Sequence, residues 1–297
     1  MPNGRSLRRA VTTDQTSAFG VPDCSDDRGM WTAPDRRLDR VLRLLHHASP
    51  PGGGAHEDRR NPGDARQNAG VQPIGPKLAE GRDSEIFEHG RDKVLRVARD
   101  GRSLVAEAEV MRYARSHGYP CPDVYDAGDG YLVMDRLDGL TMMETVGKPL
   151  FPLRRSGHLL ADLHERLHRI PAPPGIRAAP LPGDRLVHRD LHPLNVMMTP
   201  DGPVVIDWAN ASAGDPAFDV ADTWVLFACG TPPTGGIDRF LLPVARRILL
   251  RAFLGRVDTV AARRAIPAAV DHRLTDRNMS AEEHARMRKL AAWATSV

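Results

Sequence analysis

Lysine is nearly missing from this chain: Lys77, Lys93, Lys148 and Lys289 are the only four among 41 basic residues. With abundant Ala, Gly and Pro, the arginine skew reads as the mark of a G+C-rich genome rather than as selection for phosphate binding. Cysteine is equally sparse. Cys24, Cys121 and Cys229 are far apart and form neither a disulfide framework nor a Cys-x-x-Cys metal knuckle. No apolar run approaches the roughly 18 residues of a membrane helix, and no secretory apolar region follows the start. A net charge of only +3 supplies no field that would by itself draw nucleic acid. These absences lead us to expect a cytoplasmic protein with no membrane, nucleic-acid or obligate protein partner.

What is present divides the chain at about residue 70. Residues 1–70 are rich in Pro, Gly, Asp and Arg, include Pro-Pro-Gly-Gly-Gly at 50–54, and read as a disordered extension. Within them Leu38, Val41, Leu42 and Leu45 form a short apolar stripe among arginines. It reads as a transient helix or as a basic membrane-surface or partner helix. From Gly75 the pattern becomes globular. Ser84–Glu88 and Lys93–Ala98 read as strands joined by the turn His89-Gly90-Arg91-Asp92. A helix starting at Ser103 follows, stopped by Gly118 and Pro120. Tyr131–Met134 makes another strand, and Leu160, Leu163 and Leu167 mark a helix. Later helices are expected over 216–228, 236–254, 257–270 and 280–295, the last opened by the capping box Ser280-x-x-Glu283. Strands first and helices afterwards imply an α+β fold.

The chemistry concentrates in residues 187–208. Asp190, Asn195 and Asp207 surround one expected hairpin whose turn is Thr199-Pro200-Asp201-Gly202. A turn centred on Asp201 would set Asn195 opposite Asp207, about 5 Å apart at Cα. Such oxygen donors suit a hard cation such as Mg²⁺. His188, Asp190 and His192 at alternating positions also admit a metal-hydrolase reading, although no other His-rich motif in the globular part supplies the remaining ligands. A purely structural role for His188 and Asp190 weakens once Asn195 and Asp207 are counted.

The segment resembles the catalytic loop and metal-binding segment of the protein-kinase-like superfamily, in its aminoglycoside phosphotransferase and choline-kinase branch. His188-Arg189-Asp190-Leu191-His192-Pro193-Leu194-Asn195, Ile206-Asp207-Trp208 and Gly214-Asp215-Pro216-Ala217-Phe218-Asp219 carry the resemblance, which extends over residues 74–295. Arg189 departs from the glycine usual in that branch. The resemblance implies a bilobal fold, with a small β-rich N-terminal lobe over 71–137 and a larger helical C-terminal lobe over 138–297. It also implies ATP and Mg²⁺ as cofactors. Asp190 is then the catalytic carboxylate that addresses the acceptor hydroxyl, and Asn195 and Asp207 are the Mg²⁺ ligands. Asp219 and His188 become supports of the catalytic loop.

The N-terminal lobe fits this pattern more loosely. Ile74–Ser84 occupies the place of the phosphate-covering loop, with Gly81 central and Ser84 at its end. It has one central glycine where three are usual, and a plain surface turn is the alternative. The strand that should carry a phosphate-gripping lysine puts Arg96 at that position, with Val94 on the same face under the adenine. Arginine binds phosphate as a fork and is no neutral swap for lysine. Lys93 is the rival, and a plain solvent-facing Arg96 a further alternative. Glu107 is the expected ion-pair partner, because Glu109 points about 200° away around the helix. Met134–Leu137, with Asp135, is the expected hinge to adenine.

Only eleven residues separate Asp207 from Asp219, and no Ala-Pro-Glu-type anchor follows. His192 stands where protein kinases carry lysine. Both features favour a small-molecule hydroxyl acceptor over a protein. Residues 236–297 hold twelve Arg plus Lys against six Asp plus Glu, which argues mildly against a polycationic aminoglycoside. A nucleotide-binding pseudokinase is the remaining alternative.

Overall fold

The computed structural model describes residues 75–296, save 82, 147, 149–151, 232–240 and 277–278. The expected extension over 1–70, Ile74 and the start of the 236–254 helix therefore lie outside the described residues. Five antiparallel strands form the N-terminal sheet: β1 (Lys77–Glu80), β2 (Ser84–Glu88), β3 (Lys93–Ala98), β4 (Val124–Gly128) and β5 (Tyr131–Asp135), in the order β1-β2-β3-β5-β4. The β2–β3 hairpin turns at Gly90, whose φ of 80° suits glycine, and pairs Glu88 with Val94. Alternation along β3 buries Val94, Arg96 and Ala98 on one face. Leu95 joins Phe87 and Val133 in a small separate cluster. Helix α1 (Val105–Ser116) buries Ala108, Met111 and Ala114, and the chain leaves it through Gly118 at φ 76°.

The C-terminal lobe is built on helix pairs. α2 (Leu153–His168) packs against α4 (Leu241–Leu254), α3 (Pro216–Cys229) against α5 (Thr259–Arg273), and α5 against α6 (Ala281–Thr295). Leu160, Leu163 and Leu167 are fully buried, each stabilising the fold by about 2 kcal/mol. The α2–α4 crossing is close at Gly157, where a Cβ would sit 2.6 Å from the Ala252 Cβ. The Gly-Asp-Pro motif has a local reason: Asp215 caps α3 by accepting from the Ala217 amide at 2.8 Å, and Pro216 fills the first helical position. Ser280 and Glu283 form the expected capping box of α6. Among the described residues no helix is long and apolar enough to cross a membrane.

Two short sheets complete the fold. β6 (Leu140–Thr141) joins β8 (Val196–Thr199) and β9 (Gly202–Val205), while β7 (Arg185–Val187) pairs with β10 (Ser212–Gly214). The β8–β9 register corrects the expected one. Met197 faces Val204 and Thr199 faces Gly202, so the loop has two residues, Pro200 and Asp201, and Gly202 takes a φ of 125°. Asn195 therefore does not stand opposite Asp207; the Ile206 amide donates to its carbonyl at 3.0 Å. A second correction concerns residues 77–80. They form a strand, which reduces the expected phosphate-covering loop to Gly81–Asp83, with the Gly81 amide donating to the Ser84 carbonyl.

Candidate active site

A one-residue register change would normally send Asn195 and Asp207 to opposite faces. Two local departures from strand geometry override that alternation. Pro193–Asn195 forms a single 3₁₀ turn, and Asp207 adopts a left-handed backbone with φ 64° and ψ 68°. Arg189, just before Asp190, has φ 63°. Among the described residues these are the only two non-glycine positions with positive φ, each costing about 1–3 kcal/mol. The strain brackets the centre from both sides.

Asp219 holds the loop. Its fully buried carboxylate accepts from the backbone amides of His188 at 3.1 Å and Arg189 at 2.6 Å, and from His168 Nε2 at 2.9 Å. Burial opposes ionisation, but the His168 hydrogen bond and charge hold the carboxyl well below its ordinary range. His188 donates through Nε2 to the Ile206 carbonyl at 3.2 Å and lies against Trp208, so its ring ties the loop to the strand beyond. Burial pushes its pKa down.

Asp190 is the focus of the polar network. The Asn195 carboxamide donates to the Asp190 carbonyl at 2.8 Å and to Oδ2 at 3.1 Å. That orientation leaves the Asn195 amide oxygen as its ligand-facing atom. His192 accepts from the Leu194 amide through Nδ1, and its Nε2 stands 3.5 Å from Asp190 Oδ1. Arg273 donates to Asp190 Oδ1 at 2.7 Å and to the Arg189 carbonyl at 3.1 Å, while its Nε holds Asp222 at 2.8 Å. Burial works against the Asp190 charge; His192 and Arg273 outweigh it and hold the carboxyl far below its usual range. Burial pushes Asp222 up to about 6 against the pull of Arg273. Sequence reasoning missed Arg273 and Asp222. Arg273 lies 83 residues from Asp190 with no local pattern to mark it. Asp222 offered a weak signal, standing one helical turn beyond Asp219.

In the N-terminal lobe Arg96 is buried, which excludes the solvent-facing alternative. Its guanidinium reaches Ser84 Oγ through Nε at 3.0 Å, Glu107 through Nη1 at 2.6 Å and Asp207 through Nη2 at 3.7 Å. A lysine has one point of charge and could not span all three. Lys93, the rival, lies with its ammonium 3.6 Å over the Tyr125 ring instead. Glu107 is buried and Glu109 exposed, as the helical geometry requires. Ser84 supports Arg96, while Gly81 is an exposed turn residue. Val94 is buried on the Arg96 face, and Met134 stands opposite it in β5. The Asp135 carboxylate accepts from the Asp123 amide and the Tyr125 hydroxyl, both at 2.8 Å, and its own amide donates to Asp123. Leu137 is half-buried beyond it.

Asp207, half-exposed, and the Asn195 amide oxygen are hard oxygen donors of the kind that hold Mg²⁺ together with phosphate and water. The donor set fits that ion. It does not fit the hydrolase alternative: among the described residues no three His, Cys, Asp or Glu side chains gather as a metal site, and His188 is turned to Ile206.

A β-rich lobe carrying an Arg–Glu pair, together with a helical lobe carrying a buttressed Asp-x4-Asn loop, defines a kinase-like fold. The model of the phosphotransferase enzyme family known as APH matches residues 77–185 and 175–253, and the chain belongs to that family. A probable serine/threonine-protein kinase of Streptomyces coelicolor is 30% identical over 186 residues, covering 54% of this chain and 25% of the relative. The thiamine kinase of Escherichia coli is 33% identical over 90 residues, covering 30% of each. The chain thus spans under a third of the length of these curated relatives. A solved ternary complex of the aminoglycoside phosphotransferase APH(2″)-IIa with streptomycin and ATP shares the fold. Its TM-score is 0.50 at 18% identity, over 74% of this chain and 92% of that one.

Proposed function

We propose that this chain moves the γ-phosphate of ATP to a hydroxyl group of a small molecule, with Mg²⁺. The observation that carries the reading is a continuous set of contacts across the two lobes, Glu107 to Arg96 to Asp207, alongside Asn195 and the constrained Asp190. Residues 71–137 act as the nucleotide lobe and 138–297 as the acceptor lobe, with 1–70 outside both. The hinge Met134–Leu137 meets the adenine, and Val94 packs beneath it. Arg96 is the phosphate-binding cation, held in aim by Ser84 and Glu107. Asp207 and Asn195 hold the Mg²⁺, which offsets charge on the phosphates when bound.

Asp190 is too acidic to ionise an alcohol in advance. Its work is to orient the acceptor O–H toward the γ-phosphorus and to accept the proton late in a loose transition state. The acceptor oxygen–phosphorus bond forms, the bond from the γ-phosphorus to the β,γ-bridging oxygen breaks, and ADP leaves. Arg273 acts through Asp190 as a positioning residue, itself anchored by Asp222. The buried thiols Cys121 and Cys229 fit a reducing, cytoplasmic setting.

A protein acceptor is the second reading, favoured by the Streptomyces relative. Against it, the stretch between Asp207 and Asp219 is fully committed: Trp208–Asn210 is a 3₁₀ turn, β10 pairs with β7, and Pro216 already opens α3. That leaves no long loop between Asp207 and Asp219 on which to dock a peptide. The test is ADP release from MgATP across a panel of alcohols and peptides, with nucleotide binding followed by thermal shift. Alcohol-dependent release lost in Asp207→Ala supports the proposal. Release that needs peptide, or that survives Asp207→Ala, overturns it; ATP binding with no release from any acceptor marks a pseudokinase.

A further inference from the structure

Beside the catalytic loop a cavity of about 130 Å³ opens between the loop, the end of α3 and the start of α4. It approaches the roughly 150 Å³ of a cavity that holds one benzene ring. Its wall is apolar, with Met143, Val146, Leu194, Leu226, Phe227 and Leu249 prominent. No carboxylate stands among the described residues that line it. The charged side chain on the wall is a cation, Arg246, which donates to the Gly230 and Ala228 carbonyls at the end of α3. Glu283, which touches the lining residue Thr231, is turned onto the Thr231 and Ser280 amides. His192 forms both part of this wall and the 3.5 Å contact to Asp190, so the cavity and the catalytic carboxylate are one side chain apart.

Among the described residues that line this cavity, a cationic acceptor would find neither a carboxylate nor an aromatic cage to replace its lost hydration. An apolar body gains by the same desolvation. We infer that the acceptor is an alcohol with an apolar body of about one ring and no positive charge, seated here with its hydroxyl toward Asp190. This inference rests on the phosphotransferase reading. It separates this chain from acceptors such as streptomycin and thiamine, both of which are cations.

The experiment measures ADP release from MgATP by the full chain with benzyl alcohol and cyclohexylmethanol, and in parallel with choline, thiamine and streptomycin. We expect at least tenfold stimulation over water by the uncharged probes and none by the cations. Leu226→Trp, which fills the cavity, should lower that stimulation at least tenfold. Val146→Glu, at a half-buried position on the cavity wall, should shift the response toward choline. Stimulation by the cations in the wild type, no response to either uncharged alcohol, or a response untouched in both variants overturns the inference. ATP-dependent thermal stabilisation separates the two failures. If it persists, only the acceptor class is wrong; if ATP neither stabilises the chain nor is cleaved, the phosphotransferase reading falls with it.

Discussion

The two halves of the centre are held by opposite means. In the N-terminal lobe a side chain is gripped by near neighbours: Arg96 takes Ser84 from the adjoining strand and Glu107 from the next helix, 12 and 11 residues away. In the C-terminal lobe the backbone is gripped along with the side chain, and from afar. Asp219 holds the His188 and Arg189 amides from 31 and 30 residues on, and Arg273 reaches Asp190 across 83. A strand already has its backbone satisfied and can aim a side chain by alternation alone. A loop carrying a strained residue at Arg189 has no such ladder, so the buried Asp219 carboxylate supplies the missing acceptors. The N-terminal side is thus built to aim a charge, and the C-terminal side to hold a carboxylate still.

Breaking the long-range side should cost most. Arg273→Met leaves Asp222 and Asp190 without their shared cation, and we expect about 3–5 kcal/mol of destabilisation by urea unfolding. The short-range side should yield more in binding than in folding. Glu107→Gln keeps the shape but removes the charge that aims Arg96, and the KM for MgATP should rise about tenfold, or about 1.4 kcal/mol.

Acid should discriminate between the lobes as well. Burial lowers the His164 pKa to about 4, and burial together with Arg189 lowers that of His272 to about 4; both histidines belong to the C-terminal lobe. Each folded pKa lies below the unfolded value near 6.5, so between these limits the unfolded chain binds more protons. The contribution of these two histidines is therefore full above about pH 6.5 and is lost as the pH drops toward 4, a loss that Asp222, pushed up to about 6, offsets only in part. Denaturant midpoints measured over that range should decline, less steeply in His164→Gln. Arg96→Lys should have the smallest effect: charge is kept, the three-way span is lost, and MgATP affinity should weaken only about threefold by isothermal titration.

The same asymmetry governs what could be read before folding. The β3 alternation that places Val94 with Arg96, the choice of Glu107 over Glu109, and the helices through Leu160 and Asp219 are short-range patterns, and each stands as expected. The Asn195–Asp207 register missed by one residue, because Pro-Asp-Gly accommodates loops of two or three residues and Gly202 at φ 125° selects two. Lys77–Glu80 looked like loop because its side chains are exposed and carry no apolar alternation, although it pairs with β2. Arg273 was invisible for a different reason. Its helix α5 lies beyond the stretch that the family model matches, and nothing in Asp-His-Arg-Leu distinguishes a buried clamp from a solvated arginine.

The division of labour between the lobes is tested most directly by measuring MgATP affinity and turnover side by side in Arg96→Ala and Asp190→Asn. We predict that Asp190→Asn binds MgATP as the wild type does, while turnover with an accepted alcohol falls by about 10²–10⁴. Arg96→Ala should lose MgATP affinity by tenfold or more. Wild-type affinity in Arg96→Ala, or near-normal turnover in Asp190→Asn, would contradict the account.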